Sequence, residues 1–344
     1  MLTDDVPDDQ RSRLDALRGN HNPTTSTPPR TAGSIRRTTS IEMLRPEGIE
    51  GRLLLDASGR DLVTKSDGSA VVVDTAGVRA WVDFAGKREL IELALTPPYG
   101  DVRPLLGASV ATGFRGLVSA ALPDLRHDRS LQHLLVDDLP GAALVSGYAH
   151  GFASTTRKKG VPKPDLCAGW RVGGTMMLEV GRSGHTPMVV GPPAPRLEDP
   201  ADPLGWHALS DVPPNGMRRR RRMDVRREGG VVQVDVLFRD SHADAAGNET
   251  VIHEYTVTAT LDARSHIVTA ISAVPHVLPW RECPFAAASA TELAGKTVDD
   301  LRTYVRAEFV GASTCTHLND TLRSFEDVPR LLDEYETAFP PDLR

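Results

Sequence analysis

Residues 255–261 read Tyr-Thr-Val-Thr-Ala-Thr-Leu, and this stretch decides the fold class. Apolar side chains alternate with threonines, which is the period of two expected for a half-buried β-strand. The preceding stretch 231–238 is rich in valine, and residues 267–273 alternate again after a polar turn at 262–265. We therefore predict three consecutive antiparallel strands in this region.

The hydrophobic period changes at Cys283. A proline follows this residue and opens an alanine-rich stretch that ends at Gly295, an arrangement typical of a helix with an N-terminal proline and a C-terminal glycine. Apolar residues at helical spacing recur in 298–309 and 318–325. The order is therefore three strands followed by three helices. The first half repeats it more loosely, with strands predicted near 52–56, 70–83 and 88–95.

Short sequence words recur in the same order in both halves of the chain. Arg60-Asp61 matches Arg239-Asp240, and Gln132-His133-Leu134 matches Thr316-His317-Leu318 at a similar offset. Internal duplication accounts for this better than chance. We predict an α+β protein of two related units, each a three-stranded antiparallel sheet followed by helices. The predicted divisions are a disordered tail (1–33), the first unit (34–150), a Pro/Gly-rich connector (151–214) and the second unit (215–338).

The composition excludes several classes of protein. The 344 residues are 40% hydrophobic and 25% charged, with a net charge of −6 and only 5% aromatic residues, which disfavours a nucleic-acid partner. No apolar run approaches the ~20 residues of a membrane span. Three cysteines and the absence of a visible secretory signal favour a cytoplasmic protein. The composition identifies no reaction and no oligomeric state, so enzymatic activity is left open.

Two cysteines are the most specific candidates for chemistry. Cys283 and Cys315 each stand at a predicted helix start, where free N–H groups favour a thiolate. His317 follows two residues after the second cysteine, and Asp240 stands in a predicted loop at the same end of the sheet. Such a set suits Zn or Fe, so we predict a metal site of these four residues. The alternative is two buried small side chains and a capping histidine.

Five consecutive arginines, 218–222, suggest a second kind of site. In a strand their side chains alternate between the two faces, where they either bind an anion or pair with the chain's own acidic residues. Trp170 and His207 of the connector, with Trp206, are predicted walls of a pocket between the units. We expect a small-molecule acyl or aromatic acid there, held by Arg218, Arg220, Arg222, Trp170 and His207. A non-catalytic interaction module is a third hypothesis.

Several of these words resemble the domain-of-unknown-function family 2889. The resemblance covers about 34–150 and 215–335, as two tandem copies, and implies no activity. A more distant likeness of the second copy is to the NifU/IscU-type iron–sulfur scaffold, in which Cys283 and Cys315 would be ligands. The words that carry the family resemblance are Met223-Asp224, Arg239-Asp240, Leu261-Asp262, Pro275, Cys283, Leu293-Ala-Gly295 and Cys315-Thr-His317-Leu318.

Overall fold

A computed structural model describes residues 18–153 and 163–339, and eight strands form its centre. The predicted alternation in 255–261 lies within the seventh strand, and the first half supplies four strands like the second. The strands are β1 (Ser34–Leu44), β2 (Leu53–Thr64), β3 (Ala70–Asp83), β4 (Glu89–Thr96), β5 (Met217–Glu228), β6 (Val231–Ala243), β7 (Glu249–Asp262) and β8 (Val268–Val277).

All eight strands belong to one antiparallel sheet, with the order β4-β3-β2-β1-β5-β6-β7-β8. The α+β class is therefore confirmed, whereas the expectation of two separate three-stranded sheets is wrong. In each half the prediction lacks the first strand, β1 or β5, and these two strands carry buried arginines. β1 and β5 pair along their length, from Ser34 opposite Arg226 to Met43 opposite Met217, and this pairing joins the two halves.

The helices of both halves cover one face of this sheet. Eight α-helices are described, and the long stretch Cys283–Leu293, predicted as an α-helix, is a 3₁₀ helix instead. None of the helices in the described part of the chain is both long and apolar enough to cross a bilayer. The α-helices are α1 (Phe114–Ala121), α2 (Pro123–His127), α3 (Leu131–Val145), α4 (Gly147–Ala153), α5 (Thr175–Ser183), α6 (Leu301–Glu308), α7 (Thr316–Arg323) and α8 (Val328–Ala338).

Two apolar clusters lie between the sheet and the helices, and a charged layer separates them. On the helix-facing side of β1, Ile35 belongs to one cluster and Ile41 to the other, with buried Arg37 between them. On β5, Met217 and Met223 belong to different clusters in the same way, with Arg219 and Arg221 between them. Because the central strands carry charges at their middle, the helices above must supply partners for them.

The opposite face is covered by irregular chain. Residues 18–33, within the predicted tail, run along the sheet. The backbone N–H of Asn22 donates to the backbone oxygen of His276 at 2.9 Å, and the buried Thr27 hydroxyl accepts from Trp206 Nε1. The connector contributes its residues 194–211 to the same face. Residues 1–17 of the predicted tail and 154–162 of the connector lie outside the described residues.

Candidate functional site

The five arginines of β5 alternate between the two faces, as predicted, and each one is paired with a carboxylate. Arg219 and Arg221 face the helices, where Arg221 binds Asp138 through both terminal nitrogens at 2.6 and 3.2 Å. On the other face the pairs are Arg218 with Glu42, Arg220 with Glu198, and Arg222 with Asp224 and Asp235. Pairing with the chain's own acids is therefore the arrangement in the structure.

Arg219 organises the helix-facing site. Its Nε and Nη2 donate to the two carboxylate oxygens of Asp240 on β6, at 2.8 and 3.1 Å, and its Nη1 donates to Asp320 of α7 at 2.9 Å. Helix α3 passes close to this contact at Gly141, where a Cβ would lie 2.3 Å from Asp320 Oδ2. Glycine is therefore needed at this position for α3 to lie over the ion pair.

Two histidines meet the carboxylate of Asp240. Its Oδ2 lies 3.5 Å from His253 Nδ1 and 3.6 Å from His317 Nε2, and the two imidazole rings stack with centroids 3.6 Å apart. Asp240 and His253 face each other across β6 and β7, while His317 comes from α7. The structure thus brings together the predicted Asp240 and His317. Asp240 stands in strand β6, not in the predicted loop.

His253 was not among the predicted site residues, although the alternation of residues 255–261 points to it. His253 precedes Tyr255 by two residues, so extending the alternation of 255–261 backward places it on the same buried face as the tyrosine. That face carries the helices and the candidate site. The stacking of His253 on His317 of α7 shows that the extension holds in the structure.

Burial and neighbouring charges shift the pKa values of Asp240 and His317. Burial raises the pKa of Asp240, but the nearby Arg219 guanidinium and the His253 imidazole outweigh it and hold this pKa well below its usual range. Burial, together with His253, lowers the pKa of His317 to about 3. His317 is consequently neutral at pH 7, which leaves a ring nitrogen able to accept a proton or bind a metal.

Cys315 extends the site through His317. Its Sγ lies 3.7 Å from His317 Nδ1, on the side of the ring away from Asp240. This order of thiol, imidazole and carboxylate resembles a nucleophilic triad. However, Cys315 is 5% exposed and burial raises its pKa, whereas a nucleophile requires an accessible thiolate. Cys315 thus contacts the His317 ring without the exposure that a nucleophile needs.

Cys283 does not join the His317 side chain. It packs in the apolar core, where a Cβ on Gly169 would lie 2.5 Å from its Sγ. Burial, then the neighbouring Cys315 and Cys167 thiols, raises its pKa well above the ordinary value. Burial at these apolar helix starts therefore disfavours the thiolates predicted at Cys283 and Cys315.

The predicted anion-binding residues divide between two places. Arg218, Arg220 and His207 line one cavity on the sheet face opposite the helices, together with Trp206. Both ring nitrogens of His207 form hydrogen bonds with hydroxyl groups, Nδ1 with Thr38 at 2.9 Å and Nε2 with Ser40 at 3.1 Å. Burial and the nearby arginines lower its pKa to about 4.

The other two predicted residues of that set lie elsewhere. Trp170 ends a short 3₁₀ helix, Ala168–Trp170, and packs against the apolar core of the second half. Arg222 is taken up by Asp224 and Asp235, and it does not line the cavity that Arg218 and Arg220 share.

Comparison with known proteins finds a family match for part of the chain and no activity. No curated protein and no solved structure matches the chain. The family match covers one copy, so the tandem arrangement and the likeness to iron–sulfur scaffolds gain no support from it. Residues 217–330 match the model of a family described as "Protein of unknown function (DUF2889)", which confirms the family resemblance for the second half of the chain.

Proposed function

We propose that this protein binds a divalent transition metal between Asp240, His253 and His317. The observation that carries the proposal is that one ligand atom from each of these residues lies within 4.8 Å of the other two. Two imidazole nitrogens and one carboxylate oxygen form a donor set that Zn and Fe(II) accept, with positions left for water or substrate. The half-buried His317 gives such a site a route to solvent.

The surroundings favour a metal that prefers imidazole. Arg219 occupies both oxygens of Asp240 and neutralises much of its charge, which weakens the attraction for hard cations such as Mg²⁺. The two imidazole rings, stacked at an interplanar angle of 19°, must turn toward each other to present both nitrogens to one ion. The hydrogen bond between Cys315 and His317 Nδ1 would fix the tautomer that leaves Nε2 free.

A three-ligand site supplies a specific kind of chemistry. A metal held there would polarise a bound small molecule or lower the pKa of a bound water. Asp240, held ionised by Arg219, would keep its ligand oxygen deprotonated across the physiological pH range. The proposed function is therefore metal-dependent binding, and in its catalytic form conversion, of a small molecule.

Metal content tests this proposal. Protein made without a polyhistidine tag and purified without oxygen should carry close to one equivalent of Zn or Fe by mass spectrometry. His253→Ala and His317→Ala should each lose most of it, whereas Cys283→Ser should keep it. His276→Ala is the matched control, because this histidine lies on β8 and its ring hydrogen-bonds to Thr256 Oγ1.

Folding must be separated from metal loss. Circular dichroism and the thermal midpoint should show that the histidine variants keep their secondary structure. The proposal fails if the wild-type protein carries no metal and binds added Zn²⁺ or Fe²⁺ no more tightly than the His253→Ala/His317→Ala double variant.

We also infer that the two halves are related by duplication. Equivalent pairs support this: Asp61 faces Asp74 across β2 and β3, as Asp240 faces His253 across β6 and β7. Each half then consists of a four-stranded meander whose first strand pairs with the other half. A related chain with a single such unit should form a symmetric dimer through that strand, and a stable monomer in sedimentation would argue against the inference.

A further inference from the structure

A cavity lined by arginines lies on the sheet face opposite Asp240, His253 and His317. Its volume is about 560 Å³, within the range of roughly 300–1,000 Å³ that is common for small-molecule sites. Four arginines from three strands form the floor, and Trp206 and His207 of the connector form a wall. The floor arginines are Arg60, Arg218, Arg220 and Arg239.

Acidic and basic residues line this cavity in equal numbers but differ in exposure. The Arg220 side chain is 9% exposed, whereas Glu198 and Asp211 stand at the rim with 40% and 97% exposure; Asp202 is 13% exposed and pairs with Arg30. Solvent screens the rim charges far more than the floor charges. Because Glu42 and Glu254 already pair with Arg218 and Arg239, Arg60 and Arg220 are the cations best placed to attract an added anion.

Two donors on the floor have no partner. The Nε atoms of Arg60 and Arg220 are buried without a hydrogen bond, and no carboxylate lies within 4.0 Å of Arg60 in the part of the chain that the structure describes. Burial, together with neighbouring arginines, lowers the pKa of both groups. Among the described residues Arg60 thus carries a buried charge without a carboxylate partner, which an acid in the cavity would supply.

Glu198 shows where such an anion would lie. Its Oε1 accepts from Arg220 Nη1 at 2.6 Å, yet the side chain belongs to an irregular segment and is 40% exposed. A carboxylate thus already occupies part of the floor as a tethered, exchangeable group. Burial raises the pKa of Glu198, but Arg220 outweighs it, so this carboxylate is ionised and competes with any acid that enters.

We propose that this cavity binds a small organic carboxylate, which displaces Glu198 from Arg220 and also engages Arg60. The planar guanidinium fork matches a carboxylate through two parallel hydrogen bonds. Leu204, which is 41% exposed, and Leu209 provide apolar surface for the body of the ligand beside Trp206. This site is independent of the metal cluster, since the two lie on opposite faces of the sheet.

Calorimetric titration of the full chain with benzoate and hexanoate tests the proposal, with benzamide and hexanamide as uncharged controls. The acids should bind and the amides should not. Glu198→Gln should strengthen acid binding by about tenfold because it removes the competing carboxylate. Arg220→Gln should weaken binding at least about tenfold, since a charged hydrogen bond is lost.

Arg60→Gln separates binding from folding, because among the described residues Arg60 forms no ion pair and its Nη2 donates to the backbone oxygen of Leu204. The variant should keep a thermal midpoint close to that of the wild type while losing acid affinity. Arg103→Gln, in an exposed pair with Asp101, should leave the affinity unchanged. Equal binding of acids and amides, no response to Glu198→Gln, or tighter binding of inorganic phosphate than of either acid would overturn the assignment.

Discussion

Two buried arginines occupy equivalent positions in the two halves of the sheet. Arg37 donates through Nε and Nη2 to Asp61 at 2.8 and 2.6 Å, and Arg219 donates to Asp240 through the same atoms at 2.8 and 3.1 Å. Each arginine then uses Nη1 to reach an aspartate of the helical layer. The backbone positions and the arginine contacts are therefore the same in both halves.

The neighbours of these pairs differ in chemistry. We call Arg37, Asp61, Asp74 and Glu334 the first cluster, and Arg219, Asp240, His253 and His317 the second cluster. The first cluster surrounds its ion pair with two further carboxylates, while the second cluster surrounds its own with two imidazoles. The same strand arrangement thus places further carboxylates around Arg37 and imidazoles around Arg219, and Glu334 of the first cluster comes from α8 of the second half.

The largest expected effect concerns what the two clusters share. Arg37→Met and Arg219→Met should each lower the free energy of unfolding by about 3–5 kcal/mol, because each leaves a buried carboxylate without its partner. Urea denaturation measures the loss. Arg103→Met, in an exposed pair, should change stability little. If only one of the two buried arginines gives a large loss, the clusters do not carry equal structural weight.

A smaller effect follows from the acidic surroundings of the first cluster. Burial, then the charge of Asp61, raises the pKa of Glu334 to about 7 from 4.5. The folded protein therefore holds this proton more tightly than the unfolded chain. The resulting stability is complete below the unfolded pKa and is lost as the pH rises through about 7.

Urea denaturation between pH 4 and 8 measures this dependence. The unfolding free energy of the wild type should fall on the order of 2 kcal/mol relative to Glu334→Gln across that interval. Glu336→Gln, on the same helix but with an exposed side chain, is the control and should follow the wild type. A difference curve that is flat, or that rises with pH, would contradict the proposed proton on Glu334.

The sequence predicted the parts of this comparison that depend on local pattern. Alternation in 255–261 predicted a strand, and five arginines in a row predicted charges on both faces, because the side-chain period of a strand is two whatever its neighbours are. Asp240 and His317 were predicted to share a site, but Asp240 reaches this place from strand β6 and not from the predicted loop. Predicting His253 would have required extending the alternation of 255–261 one step toward the N-terminus.

Long-range pairing was beyond the reach of local pattern. Nothing near Met217 indicates that its strand pairs with residue 43 of the other half, since strand pairing across such a distance is set by burial of the whole sheet. The surroundings of Cys283 were also beyond the reach of local pattern. A helix start lowers the pKa of a thiol only where the thiol is near solvent or charge, and Cys283 lies in the apolar core instead.

The smallest expected effect isolates the residue that distinguishes the two clusters across the strand pair. Asp74 faces Asp61, and burial together with that charge raises the pKa of Asp74. Asp74→Asn removes the like charge, so at pH 8 it should raise the unfolding free energy by roughly 0.5–1 kcal/mol. His253→Asp recreates the acidic arrangement opposite Asp240 and should lower the unfolding free energy in the same urea experiment. If both substitutions destabilise the protein equally, the cross-strand residue acts through packing, and charge does not explain the difference between the clusters.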